Sequence, residues 1–183
     1  MSANEPCFVW LDLEMTGLDT TTCAIIEIGI IVTGPDLRPK AEMERAIWQP
    51  EDVLSRMVPV VRDMHTRNGL LERVRKSPHA LAEVERDALA LVSRFSGPGE
   101  AILAGSSVYV DRGFLARHMP GFERYLHYRL LDVTTLKILH KAWYPGEQGF
   151  IKTREDHTAL SDIRESLDEL RHYRTKLFKP AGL

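Results

Sequence analysis

Apolar residues run almost unbroken from Cys7 to Leu13, and again from Ala24 to Thr33, where Glu27 interrupts them. Short runs of this kind predict buried strands. Asp36-Leu37-Arg38-Pro39 predicts a turn, and Glu42 to Trp48 a third strand, so the chain opens as a β-meander. The pattern then changes period. Glu51 to Asn68 reads as helical in pieces, Asn68-Gly69 suits a helix C-terminus, and another helix is expected after it. Ser77-Pro78 predicts a helix start, followed by Leu81, Val84, Ala88, Leu91 and Phe95 at helical spacing until Gly97-Pro98-Gly99.

In the second half, strands and helices alternate. Ala101 to Ala104 predicts a short strand, Asp111 to His118 a helix that stops before Pro120, and Arg129 to Val133 another strand. Thr134 or Thr135 is the expected cap of a helix running to about Trp143. Tyr144 to Asp156, with Pro145, Gly146 and Gly149, reads as a surface loop. Leu160, Ile163, Leu167, Leu170 and Leu177 then form one apolar stripe on a last helix whose Arg164, Glu165, Asp168, Glu169 and Arg171 are read as largely solvated. Three strands followed by alternating elements predict a single α/β domain with a mixed β-sheet flanked by α-helices. No internal repeat or linker is visible.

Composition narrows the chemistry. The chain has 183 residues, 44% of them hydrophobic, which suits one domain with its own core and therefore one site. Its 24 Lys and Arg against 26 Asp and Glu leave a net charge of −2. No broad basic field is available for a long polyanion, so a nucleic-acid substrate would have to be short. Metal ions held by carboxylates can supply positive charge locally. Cys7 and Cys23 form no CxxC pair, which argues against a disulfide framework and a structural zinc site. The polar N-terminus has no signal-peptide pattern, and no stretch approaches the roughly 20 apolar residues of a membrane span. A cytoplasmic protein is expected.

Asp12 and Glu14 stand two apart on a predicted strand and so point the same way. Either they share a divalent cation, with oxygen ligands suited to Mg²⁺ or Mn²⁺, or the strand is half-exposed and they face water. Glu27 is read as a satisfied or edge-facing polar residue. Asp111 opens a predicted helix and can serve either as a ligand or as an ordinary N-cap. His157 and Asp162 differ by about 140° around a helix, so they face one cavity only if His157 sits on the loop or first turn. Their bland reading is a solvated pair on a charged helix. Four carboxylates on separated elements plus one histidine match the parts of two-metal phosphodiester hydrolysis, with the histidine taking the proton from water. The absence of HExxH argues against a zinc hydrolase.

The segment Trp10-Leu11-Asp12-Leu13-Glu14-Met15-Thr16-Gly17-Leu18 closely resembles the first exonuclease motif of oligoribonucleases. Further matches follow in order: His65-Thr66 with Gly69-Leu70, then Gly105, Ser107, Asp111-Arg112 and Phe114-Leu115, then Met119-Pro120. Leu126-His127-Tyr128-Arg129 with Asp132-Val133 comes next, and the closing block is His157, Ala159-Leu160 and Asp162-Ile163-Arg164-Glu165-Ser166. The resemblance spans about residues 8 to 178. It implies a ribonuclease H-like fold and a DEDDh 3′→5′ exoribonuclease that degrades short oligoribonucleotides, especially dinucleotides. It implies two divalent ions, Mg²⁺ or Mn²⁺, on Asp12, Glu14, Asp111 and Asp162, with His157 as general base. It also implies a homodimer in which Tyr128 and Arg129 of one subunit complete the other's site. Leu18 would wedge against bases, with Met15 and His65 beside them, while Ser107, Arg129, Thr134 and Thr135 close around the terminal 5′ phosphate.

Two positions depart from the pattern. Ser106 stands where many relatives have Asn, and Val60 where many carry a base-packing aromatic residue. A branched aliphatic side chain stacks less well on a base than an aromatic ring does. The competing functions are a DNA exonuclease of the same superfamily with longer substrates, a non-catalytic nucleotide-binding module, and a metal phosphatase for small nucleotides.

Overall fold

The computed structural model describes residues 5–153 and 158–179. Its centre is a five-stranded sheet in the order β3-β2-β1-β4-β5, built from β1 (Phe8–Met15), β2 (Ile25–Thr33), β3 (Pro39–Ala46), β4 (Ile102–Gly105) and β5 (Leu130–Asp132). The first three strands are antiparallel neighbours, and β4 and β5 add in parallel on the other side of β1. The mixed sheet expected from the sequence is therefore present. β1 lies in the middle of it, so the half-exposed reading of that strand does not hold.

Alternation along β1 divides the molecule into two layers. Val9, Leu11 and Leu13 join one core with Ile28, Ile30, Leu103, Phe114 and Phe122. Trp10 joins the other, with Ile31, Val133, Ile163, Leu167 and Tyr173. The first layer is covered by α4 (Leu81–Val92), α5 (Tyr109–His118) and α6 (Pro120–Tyr125), and the second by α7 (Val133–Trp143) and α8 (Ala159–Leu177). The remaining short helices, α1 (Glu51–Ser55), α2 (Pro59–Arg67) and α3 (Leu70–Lys76), confirm that Glu51 to Asn68 is helical in pieces.

Several boundaries move for local reasons. Ser77-Pro78 does not start α4, because the Ser77 hydroxyl donates to the Ala46 carbonyl and accepts the His79 N–H, which holds this segment beside β3. Pro120 does not merely end a helix; it opens α6, where its missing N–H costs nothing. Asp111 lies in the first turn of α5 rather than at its cap. Neither Thr134 nor Thr135 caps α7: Asp132 does, accepting the Thr134 N–H at 2.9 Å.

One contact governs where α8 lies. Gly29 is paired with Asp12 across β1 and β2, and a Cβ on Gly29 would stand 2.9 Å from the Ala159 backbone. A side chain at this point would lift the first turn of α8 off the sheet. Gly29→Val is expected to destabilise the protein by about 1–3 kcal/mol through overpacking, and urea unfolding of the variant beside the wild type measures the loss.

Candidate active site

Asp12 and Glu14 sit on the α8 face of β1, the face that also carries Trp10. Asp162 lies in the first turn of α8. Ligand oxygens of Asp12, Glu14 and Asp162 all lie within 4.8 Å of one another. Asp111 approaches from α5, and its Oδ1 accepts the Leu13 N–H at 2.9 Å. That N–H is available because the pairing of β1 with β4 ends at Trp10. The structure thus gathers the four acids named from the sequence, three of them tightly. His157 lies outside the described residues.

The cluster is electrostatically strained. Burial, with Asp111, Glu14 and Asp162 nearby, pushes the Asp12 carboxyl well above the usual range. Burial raises Glu14 to about 8, with Asp162, Glu27 and Asp111 adding to the effect. Asp111 rises to about 7, again chiefly through burial, although the Leu13 N–H opposes the shift. Close, buried carboxylates repel and resist ionisation unless a cation lies among them. An all-oxygen donor set of this kind suits hard divalent ions such as Mg²⁺ or Mn²⁺.

Around the acids, secondary contacts decide orientation. Glu27 is fully buried; its carboxylate accepts from Arg73 Nη1 at 2.5 Å and from the Ala159 N–H at 3.2 Å. Glu27 is therefore a satisfied polar residue, and not an edge-facing one. Glu44 accepts the next free N–H of α8, from Leu160, at 3.2 Å. The acids Glu27 and Glu44 thus hold the helix start by its orphan donors. His65 has no exposed surface and places Nε2 3.6 Å from Glu14 Oε2. Burial holds its imidazole below the ordinary value. In this arrangement the imidazole of His65 lies beside the Glu14 carboxylate.

Lys152 escaped the sequence reading. Its Nζ lies 3.7 Å from Asp162 Oδ1, and its charge lowers the Asp12 carboxyl. The sequence carries no signal for it, since Lys152 sits in an aperiodic loop whose position relative to Asp162 is purely tertiary.

The residues expected to meet substrate divide into groups. Leu18 projects into solvent with 76% of its surface exposed, on a loop closed by hydrogen bonds between Thr16 and Ala24 and by Asp19 with Thr21 and Thr22. Met15, at the end of β1, is half-buried. Ser107 and Thr134 come together, their hydroxyl oxygens 3.1 Å apart, and Thr135 beside them is exposed. Tyr128 and Arg129 are exposed at the start of β5, with Arg129 over the Tyr128 ring at 5.3 Å. Arg112 fixes that segment by donating to the carbonyls of His127 and Tyr128. No described hydrogen bond or ion pair joins Tyr128 or Arg129 to the acids. Of the two departures, Ser106 pairs with Ser166 Oγ on α8 at 2.9 Å, and Val60 is exposed on α2.

The family model described as Exonuclease matches residues 9–170, across all four acids. An oligoribonuclease of Francisella tularensis subsp. tularensis is 45% identical over 92% of this chain and 94% of its own length. One of Paracidovorax citrulli is 44% identical over 94% of this chain and 90% of its own. The chain belongs to the oligoribonuclease family. Exonuclease I of Methylocaldum szegediense has a similar fold, with a TM-score of 0.69 at 18% identity over 94% of this chain. The zinc-bound Escherichia coli ExoI–ssDNA complex gives 0.72 at 13%. This chain spans about two-fifths of those longer exonuclease I chains, 41% in each case. The sheet that carries the acids in this oligoribonuclease-family chain is thus a fold shared with exonucleases of larger build.

The raised carboxyls make a signed prediction. Glu14 at about 8 and Asp111 at about 7 favour their protonated forms in the folded protein. Their contribution is fully present below the ordinary carboxylate range near 4 and is lost as pH rises through 7 and 8. Chelator-treated protein should therefore melt at progressively lower temperature from pH 6 to 8.5, and Mn²⁺ should restore the loss most at the alkaline end. A melting temperature independent of pH and of metal would contradict this account of the cluster.

Proposed function

We propose that the protein is a divalent-metal-dependent 3′→5′ exoribonuclease that degrades short oligoribonucleotides, dinucleotides above all, to 5′ mononucleotides. The observation that carries this reading is the convergence of Asp12, Glu14 and Asp162 within 4.8 Å, backed by Asp111, in a chain of the oligoribonuclease family. The four acids would hold two ions, Mg²⁺ or Mn²⁺. When bound, such ions supply Lewis acidity and counter-charge to the scissile phosphate.

The chain's own residues do the rest. His157 takes a proton from the attacking water; the water oxygen bonds to phosphorus, and the ribose 3′ oxygen leaves with the electron pair of the broken P–O bond. His65, neutral and buried, orients Glu14. Leu18 and Met15 pack against bases without reading their identity. Ser107, Thr134 and Thr135, with Arg129 of the partner subunit, close around the terminal 5′ phosphate and so measure shortness.

A homodimer accounts for the surface near this cap. β5 is an edge strand, and Tyr128, Leu130, Ile138 and Trp143 expose apolar area on it and on the adjoining α7. Tyr128 and Arg129, which make no described hydrogen bond or ion pair with their own subunit's acids, then serve the partner's site. A cytoplasmic setting agrees with two free cysteines, and among the described residues no helix is long and apolar enough to cross a membrane.

The test is a length series of 5′-labelled RNA and DNA from two to about ten nucleotides, in Mg²⁺ and in Mn²⁺. Fastest turnover on the RNA dinucleotide is expected, with mononucleotide and no inorganic phosphate released. Asp12→Ala should abolish turnover, and His157→Ala should slow it by about 10²–10⁴-fold, the usual worth of a general base. Unchanged rates in both variants would refute the mechanism, and faster hydrolysis of long DNA would refute the substrate class.

A further inference from the structure

The cap proposed for the 5′ phosphate contains an anomaly. Ser107 is one of two non-glycine residues with positive φ among the described residues, at 54°. A side chain in the left-handed region is disfavoured, and such a conformation persists only where its surroundings over-determine it. The surroundings here are specific. The Ser107 N–H donates to Asp132 Oδ1 at 2.9 Å. That same oxygen accepts the Thr134 N–H, also at 2.9 Å, as the N-cap of α7. One carboxylate oxygen therefore ties the turn after β4 to the start of α7.

The sheet makes this possible. β4 and β5 are parallel neighbours, and Gly105 is the register partner of Asp132, so both strands end at the same level. Gly105 has no room for a side chain, since a Cβ would stand 2.8 Å from the Leu11 carbonyl oxygen. The turn that follows is thus pressed against β1 on one side and held by Asp132 on the other. Its consequence is that the hydroxyl groups of Ser107, in the turn, and Thr134, on α7, are hydrogen-bonded to each other at 3.1 Å.

Resting on the short-substrate reading above, we propose that Asp132 is a positioning residue for substrate length. By holding Ser107 in its left-handed conformation beside Thr134, it fixes the two hydroxyls that receive the terminal 5′ phosphate. It touches no substrate itself. Removing its hold on Ser107 lets the turn relax to an unstrained conformation and separates the two donors, while the acids at the other end of the site keep their places.

The test compares a 5′-phosphorylated RNA dinucleotide with the same dinucleotide bearing a 5′ hydroxyl, using the full chain with Mn²⁺. Wild-type protein should prefer the phosphorylated form. In Asp132→Ser the shorter hydroxyl still caps α7 but no longer reaches the Ser107 N–H. Its kcat/KM for the phosphorylated dinucleotide should fall about tenfold, mostly in KM, as expected for a lost charge-assisted hydrogen bond, whereas the 5′-hydroxyl substrate should change less than about twofold. Asp132→Asn, whose amide oxygen accepts both N–H groups, should retain the preference. If Asp132→Ser does not fold, Asp132→Glu, which keeps the charge but moves the oxygen by a methylene, decides by the same ratio. An equal loss on both substrates, or an unchanged ratio, overturns the role of Asp132. Absence of any phosphate preference in the wild type instead overturns the cap itself.

Discussion

The start of α8 pressed onto β2 at Gly29 is the constraint from which the site follows. Gly29 admits the backbone of Ala159, and Glu27, two residues earlier on the same face, accepts the Ala159 N–H while paired to Arg73. In this ion pair the carboxylate is buried and Arg73 partly exposed, and desolvation of Glu27 offsets much of the attraction. Its value is geometric. It determines the height and rotation of the helix over the sheet, and so brings Asp162 beside Asp12 and Glu14 across about 150 residues of chain.

Concentrating acids there is costly in the protein alone. Asp12, Glu14 and Asp111 are all pushed upward, chiefly by burial and further by like-charged neighbours, and Lys152 is the cation at hand for Asp162. Stability elsewhere must hold them. The two cores on either side of β1, anchored by Trp10 on one face and Leu11 and Leu13 on the other, do so. A carboxylate cluster that is unfavourable without cations is pre-organised for them, which is how an acidic protein comes to handle a polyanionic substrate.

Away from the acids, Leu18 and Tyr128 expose apolar surface, and the hydroxyls of Ser107 and Thr134 are hydrogen-bonded to each other. Net charge of −2 leaves little general attraction for a nucleic acid, so recognition has to come from a few placed groups. Ser106 is satisfied within the protein, since its hydroxyl is hydrogen-bonded to Ser166 on α8 and ties the turn after β4 to that helix.

The sequence by itself determined the order of the strands and the apolar stripe of α8, because these depend on alternation and helical spacing, and a dense local motif singled out the four acids as candidates; Glu165 and Glu169, read there as solvated, are buried. Of its two readings of Glu27, satisfied or edge-facing, the first is the one that the contacts to Arg73 and Ala159 bear out. It misplaced the start of α4, where Ser77 bonds instead to Ala46 far along the chain, and the cap of α7, which is the neighbouring Asp132 rather than Thr134 or Thr135. Lys152 and the burial of His65 against Glu14 were likewise invisible. That Asp12 and Glu14 form a half-buried cluster with Asp162 rather than a solvated pair was decided only by tertiary structure. Residue spacing sets which way a side chain points along its own element, but the distance between elements is set by packing, here by the room that Gly29 leaves for α8.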